Sequence, residues 1–304
     1  MPGSVQRLVA LWIPVTLAAA TFQVLRTARQ HQLRSDLTVA GAGFVRFVYG
    51  LPFALAALAG TAVVNGGLPS PPANFWPIAV GAGISQILGT VALLQSFELR
   101  NFALGNVYSK TEVVQVALVS ALLLDEPLRP LGWLGAAVCM VGVIWLAAGD
   151  QVTTIAEGLV DPAAWMGALA GGLFALSAVG IRAASTTMDG PAWPRAIVTL
   201  TAMLALQTAI NGLLLVLMEP TTPLAVLRVW RLAWIVGVLS LCGSAGWAFA
   251  MTLTNAAKVR TLGQVELVIA FAISVLWLRE HHARQEYLAS GLVVIGIAGV
   301  IGLG

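Results

Sequence analysis

Charge is scarce in this sequence. Of 304 residues, 10% are Asp, Glu, Lys or Arg, against roughly a quarter in a soluble globular domain. That scarcity excludes an ordinary soluble fold, which would have to hide about ten nearly uncharged segments of about twenty residues from water. Cysteine and histidine are scarce too. Cys139 and Cys242 lie far apart inside apolar runs without a CxxC partner, which leaves them as small core residues rather than a redox or metal motif. His31, His281 and His282 are the only histidines and read as loop residues, so neither a metal nor a cofactor is expected. No GxxxxGK[ST] loop is present, so ATP is not the expected direct driving force. The net charge of +3 comes without a basic stripe, and nucleic acid is not an expected partner.

What the sequence has instead is apolar length. Mean hydropathy is +0.89, and ten segments are long enough to cross a hydrocarbon layer of about 30 Å as α-helices. They are residues 8–28, 41–59, 76–94, 102–124, 131–148, 163–181, 193–217, 232–253, 261–278 and 287–303. Residues 8–20 after Arg7, ending in Ala18, Ala19 and Ala20, imitate a cleavable signal peptide. Cleavage would leave nine spans and break the repeat described next, so this segment is read as span one. Prolines punctuate the chain. Pro69, Pro71 and Pro72 stop span two, Pro191 and Pro194 open span seven, and Pro220 and Pro223 follow it. Pro14 and Pro52 lie inside spans one and two and predict kinks there. A polar stretch at 149–161 divides the chain almost evenly.

The two halves repeat. An offset of 154 places Glu112 on Glu266, Glu126 on Glu280, Gly142 on Gly296 and, one span earlier, Gly89 on Gly243. A slightly smaller offset brings Arg46 onto Arg195. Five spans per half is an odd number, so the second half enters the membrane from the opposite side. The predicted fold is an all-α integral membrane protein of ten transmembrane helices in two inverted five-helix repeats, 1–150 and 151–304, the arrangement that underlies alternating access.

These marks resemble the drug/metabolite transporter superfamily, in particular its ten-helix EamA-type branch. The likeness rests on Arg46–Phe47 near the start of span two, on Glu112 followed by LLLDEPLRPLGWLGAAVCMVGV, and on Glu266 followed by WLREHHARQEYLASGLVVIGIAGV. It implies ten helices around a central cavity, with spans five and ten outside it. Two departures stand out. Where relatives have Glu-Pro, this chain has Glu112–Val113 and Glu266–Leu267, so the kinks expected there are not expected here. Lys110 is an unusual charge for the region. Solutes of the superfamily range from amino acids and cationic drugs to sugars, so the resemblance implies a mechanism class rather than a solute.

Ionisable groups inside a span are costly and face a cavity or a partner. On an ideal helix Lys110 and Glu112 are about 3 Å apart along the axis and point to nearly opposite sides, so they are poor partners for each other. Tyr108, Glu112 and Gln115 share one face; Asn106 and Lys110 share another. Glu112 and Glu266 are either solute or proton ligands or braces between helices. Lys110 is read as a solute-contacting charge, because its repeat mate is the uncharged Gln264. Arg46 either captures an anion or reaches to headgroups, with Tyr49 one turn away. Gln86 and Ser240 are repeat mates, with Thr90 and Ser244 one turn beyond. Trp12, Thr16 and Gln23 form one face of span one, and Trp247 offers a flat wall or ordinary packing. The candidate substrate-binding set is Lys110, Glu112, Tyr108, Gln86, Arg46, Ser244, Trp247, Gln264 and Glu266, with no catalytic or metal residues.

Glycines at 167 and 171, at 135 and 142, and at 291 and 296 permit close helix contact within a monomer or a weak homodimer. Basic residues lean towards an external N-terminus, whereas the resemblance implies both termini inside. The expected protein is a secondary transporter of a small polar, amino-acid-like solute across the bacterial plasma (inner) membrane. Its partners are that solute, the lipid bilayer and either protons or a counter-solute. Efflux of hydrophobic or cationic drugs is the alternative transport reading, and a membrane enzyme or assembly factor the alternative of another class.

Overall fold

The computed structural model describes residues 2–33, 36–99, 107–148, 162–273, 275 and 283–303. Among them the chain is helical and contains no strand. Nine segments of the described residues are long and apolar enough to cross a membrane: Leu11–Gln30, Val39–Asn65, Phe75–Ser96, Val107–Leu124, Pro130–Ala147, Pro162–Thr186, Ala192–Met218, Trp230–Leu253 and Arg284–Gly302. They coincide with nine predicted spans. Span nine is two short helices, Ala256–Gly263 and Val265–Ile273, and its continuation to 278 lies outside the described residues. Also outside are Arg34, Arg100, Asn106, the stretch 149–161, and Arg279, Glu280, His281 and His282. His31 falls in the last turn of the first helix, Pro2–Gln32, and not in a loop as expected.

The helices gather into two compact units, each drawing on both sequence halves. Unit one is Met1–Gly83 with Gly180–Leu253, and unit two is Ile84–Val179 with Thr254–Gly304. Spans one, two, seven and eight thus belong to unit one, and spans four, five, nine and ten to unit two. Spans three and six pass from one to the other within their own length. The sequence repeat and the compact unit are therefore different divisions of the chain.

In unit one, span one packs along span eight, where a Cβ on Gly246 would come within 2.8 Å of Ala19. Pro14 is accommodated in a continuous helix. Pro52 has the larger effect. It cannot donate to the Val48 carbonyl one turn back, and span two divides at Tyr49 into Val39–Val48 and Gly50–Asn65. Gly237 of span eight lies against that break, where an added Cβ would sit 2.5 Å from the Tyr49 carbonyl oxygen. A short helix that sequence did not anticipate, Thr222–Arg228, follows span seven with its proline in the first turn. The Glu219 carboxylate ahead of it accepts from Thr38 Oγ1 at 2.7 Å and Thr222 Oγ1 at 2.8 Å. Those two bonds hold its pKa below the ordinary carboxylate value.

In unit two, spans five and ten pack on each other through glycine. A Cβ on Gly142 would lie 2.7 Å from the Val293 nitrogen, one on Gly135 would lie 2.8 Å from the Val300 nitrogen, and one on Gly296 would collide with the Cys139 backbone. Gly171 of span six approaches the middle of span four in the same way. These glycines thin the interior of the unit, whereas Gly291 meets nothing within 4 Å. Cys139 is buried in this contact, Cys242 is half-buried in unit one, and both are free thiols.

Candidate functional site

Unit two concentrates its polar chemistry where two spans are broken. Span four runs as helix to Ser109, turns at Lys110 and Thr111, and resumes as Glu112–Leu124. Span nine turns at Gln264 between its two helices. Both helices are interrupted by a turn near their glutamates although the Glu-Pro dipeptides are missing, with Thr111 and Gln264 keeping right-handed helical dihedrals. The breaks are made by tightened backbone bonding. Lys110, Thr111, Val113 and Val114 donate to the carbonyls of Val107, Tyr108, Lys110 and Thr111, and Gln264 and Leu267 to those of Thr261 and Gln264. All six bonds are of the i→i−3 type that winds a helix more narrowly. The Thr111 hydroxyl adds a bond to the Tyr108 carbonyl at 2.7 Å, a local side-chain bond that competes with regular helix.

Glycine lets a neighbour reach the break. An added Cβ on Gly171 would lie 2.8 Å from both the Ser109 carbonyl oxygen and Gln115 Oε1, and 3.1 Å from the Glu112 nitrogen. Gln115 Nε2 donates to the Ala168 carbonyl at 3.2 Å. Tyr108, 7% exposed, packs against Ala164.

The charges at the breaks pair crosswise. Arg260 Nε lies 2.7 Å from Glu112 Oε1, and Lys110 Nζ lies 3.8 Å from Glu266 Oε1. Each span's glutamate thus takes its cation from the other span. Glu112 is 6% exposed as a residue, and the Arg260 and Lys110 side chains keep 21% and 17%. Beside them, Gln264 donates from Nε2 to the Arg260 carbonyl at 3.3 Å. Gln264 Oε1 and Gln115 Oε1 are buried acceptors without a hydrogen-bond donor among the described residues. The arrangement offers two carboxylates, two cations and two amide oxygens at interrupted helices.

Sequence reasoning missed Arg260 because it began span nine at residue 261. The signal was Asn255. Its side chain caps the helix by accepting from Ala257 N at 2.7 Å and donates to the Glu126 carbonyl at 2.8 Å. The helix therefore starts at Ala256 and carries Arg260 into the span. On the other side of that contact, Asp125 ends span four in the left-handed conformation at φ 53°, one that Asp tolerates.

The remaining predicted residues sit elsewhere. Gln86, half-buried in span three, belongs to unit two, and its carbonyl accepts from the Thr90 hydroxyl at 2.9 Å. Arg46, Ser244 and Trp247 belong to unit one. Trp247 is 8% exposed and its Nε1 donates to Gln23 Oε1 at 3.1 Å, joining span eight to span one. Ser244 is half-buried, and the buried Ser240 hydroxyl has no partner among the described residues. Thr16 returns its hydroxyl to the Trp12 carbonyl at 2.7 Å, and Tyr49 donates its own to the Val226 carbonyl at 3.1 Å. Unit one also holds an apolar cavity of about 330 Å³ walled by Phe22, Trp193, Ile197, Cys242 and Phe249 among others. The rings of Trp193 and Phe249 meet there edge to face with centroids 5.5 Å apart.

Apolar spans and charges held at their breaks define a multi-pass, all-α membrane protein. Residues 10–148 match the model of the EamA-like transporter family, so the first half of the chain is similar to that family. A comparison with curated proteins finds no match. A crystal structure of another protein superimposes with a TM-score of 0.73, covering 98% of this chain and 99% of that one at 18% identity. At that identity the likeness is one of fold.

Proposed function

We propose that this protein is a secondary transporter carrying a small polar, amino-acid-like solute across the plasma membrane by alternating access, with its ten spans arranged as two inverted five-helix repeats, 1–150 and 151–304. The observation that carries the reading is the crossed pair of ion pairs at the breaks of spans four and nine. A zwitterion presents one ammonium and one carboxylate. The carboxylates of Glu112 and Glu266, with the amide oxygens of Gln115 and Gln264, suit the first; Lys110 and Arg260 suit the second. Of the two bridges the 3.8 Å Lys110–Glu266 contact is the looser, and it is the one a solute would open. Lys110 then contacts the solute, while Glu112, gripped by Arg260, braces the break. Broken helices are where membrane transporters expose backbone and charge to a solute.

The likeness of residues 10–148 to a transporter family supports the class. The test is flux of labelled amino acids and related zwitterions into and out of liposomes containing only this protein. Saturable, solute-specific flux is expected, and none across a broad uptake and efflux screen would refute the reading. The apolar cavity of unit one favours a second reading, efflux of hydrophobic cations. The same vesicles would then move a lipophilic cation and ignore amino acids.

A further inference from the structure

Arg46 lies well inside span two, eight residues into the segment Val39–Asn65, or about 10 Å along its axis. Its guanidinium stacks over the Phe47 ring, 4.4 Å from the centroid. Stacking engages the face of the guanidinium and leaves its five N–H donors in the plane. Among the described residues no carboxylate and no carbonyl accepts from them. The helix register brings a second cation alongside. Gln30 of span one donates to the Ala42 carbonyl at 2.6 Å, and one turn inward from that bond on both helices stand Arg26 and Arg46. That register places Arg26 and Arg46 at the same level of the two helices.

The second half of the chain handles its corresponding arginines differently. Arg195, the repeat mate of Arg46, donates to the Met188 carbonyl at 3.3 Å and feels the charge of Asp189. Arg182, one turn before the end of span six as Arg26 is in span one, donates to the Met251 carbonyl at 2.9 Å. Those arginines close helix ends, and Arg46 closes none. Acids are also scarce in unit one. The unit has nine arginines and three acidic residues, Asp36, Asp189 and Glu219. Glu219 accepts from Thr38 and Thr222, and Asp189 acts on Arg195.

We propose that Arg46, with Arg26 beside it, is an oxyanion site that takes a carboxylate or phosphate group in the plane of the Arg46 fork. A half-buried guanidinium inside a span is costly without acceptors, and a bidentate oxyanion would supply them. The group has two available sources, the phosphate of an anionic lipid and a soluble oxyanion. The site is defined by binding and stands whether or not the transport reading holds.

The test uses the full chain in phosphatidylcholine nanodiscs, with thermal unfolding followed by tryptophan fluorescence. One arm adds inorganic phosphate against chloride of equal ionic strength. The other replaces part of the lipid with phosphatidylglycerol and omits phosphate. The midpoint of the wild-type protein should rise by on the order of 5 °C in at least one arm. A rise with phosphate assigns the site to soluble oxyanions, and a rise with phosphatidylglycerol alone assigns it to a headgroup. Arg46→Gln should abolish the rise and Arg195→Gln should keep it. Should Arg46→Gln fail to fold, Arg46→Lys, which keeps the charge and loses the fork, should show a weakened rise. No response in either arm, an unchanged response in Arg46→Gln, or an undiminished one in Arg46→Lys would overturn the site.

Discussion

The two units carry opposite charge. Unit one has nine basic residues against three acidic ones, while unit two has seven basic against ten acidic. They also handle intramembrane charge in different ways. Unit two pairs side chain with side chain, as in Arg260–Glu112 and Lys110–Glu266. Unit one turns its arginines onto backbone carbonyls, as in Arg182 on Met251 and Arg195 on Met188. An arginine on a carbonyl is a fixture of the fold, because the carbonyl cannot leave. A lysine 3.8 Å from a glutamate is exchangeable, because a solute can offer each partner an equivalent charge. On the proposed reading the first set is structural and the second is the one a solute would meet.

The largest expected effect comes from breaking the tighter bridge. Arg260→Gln leaves Glu112 charged and buried, and should cost about 3–5 kcal/mol, read as a large fall in unfolding midpoint and yield. A well-folded, normally stable Arg260→Gln protein would mean that the bridge contributes little. Packing comes next. Gly296→Leu drives a side chain into the Cys139 backbone and should cost about 1–3 kcal/mol or more, whereas Gly291→Leu, at a position with open space, should be tolerated. Equal behaviour of the two would contradict the span five–span ten contact. Arg182→Gln removes the charged bond to the Met251 carbonyl. It should cost about 1.5–3 kcal/mol, less than Arg260→Gln, and the reverse order would erase the contrast between the units.

The smallest effect concerns pH. Glu219 has a lowered pKa in the folded protein, so its contribution to stability is fully present above the unfolded value of about 4.3. It is lost as pH falls through the folded value. Thr38→Val with Thr222→Val removes the bonds that lower the pKa, so the wild-type advantage over this double variant should shrink between pH 5 and pH 3. An advantage that stays constant over that range would place the effect in packing and not in the carboxylate.

How much of this was readable in the sequence depends on the physical scale of each feature. Span existence was legible because about twenty apolar residues in a row have one physical meaning in lipid. Pro52 marked the break at Tyr49 because a missing donor acts locally. The break in span four was not legible, since it involves Thr111 turning its hydroxyl back to Tyr108 and Gly171 admitting span six. Arg260 was hidden by a boundary drawn five residues late, although the Asn255 cap was visible. The inference drawn from helix geometry, that Lys110 and Glu112 do not pair with each other, agrees with the partners found. The gathering of spans into units could not be read, because it depends on which faces meet across sequence separations of more than a hundred residues.

The central claim is that Lys110 and Glu266 hold the solute and are dispensable for the fold. The direct measurement is zwitterion flux in liposomes carrying the double variant Lys110→Gln/Glu266→Gln, alongside its unfolding midpoint. Removing both members of an ion pair leaves neither charge stranded and is close to neutral for stability. The account predicts a midpoint near that of the wild-type protein together with flux reduced at least about tenfold, the equivalent of about 1.4 kcal/mol of lost solute interaction. A stable double variant that transports at the wild-type rate and affinity would contradict it.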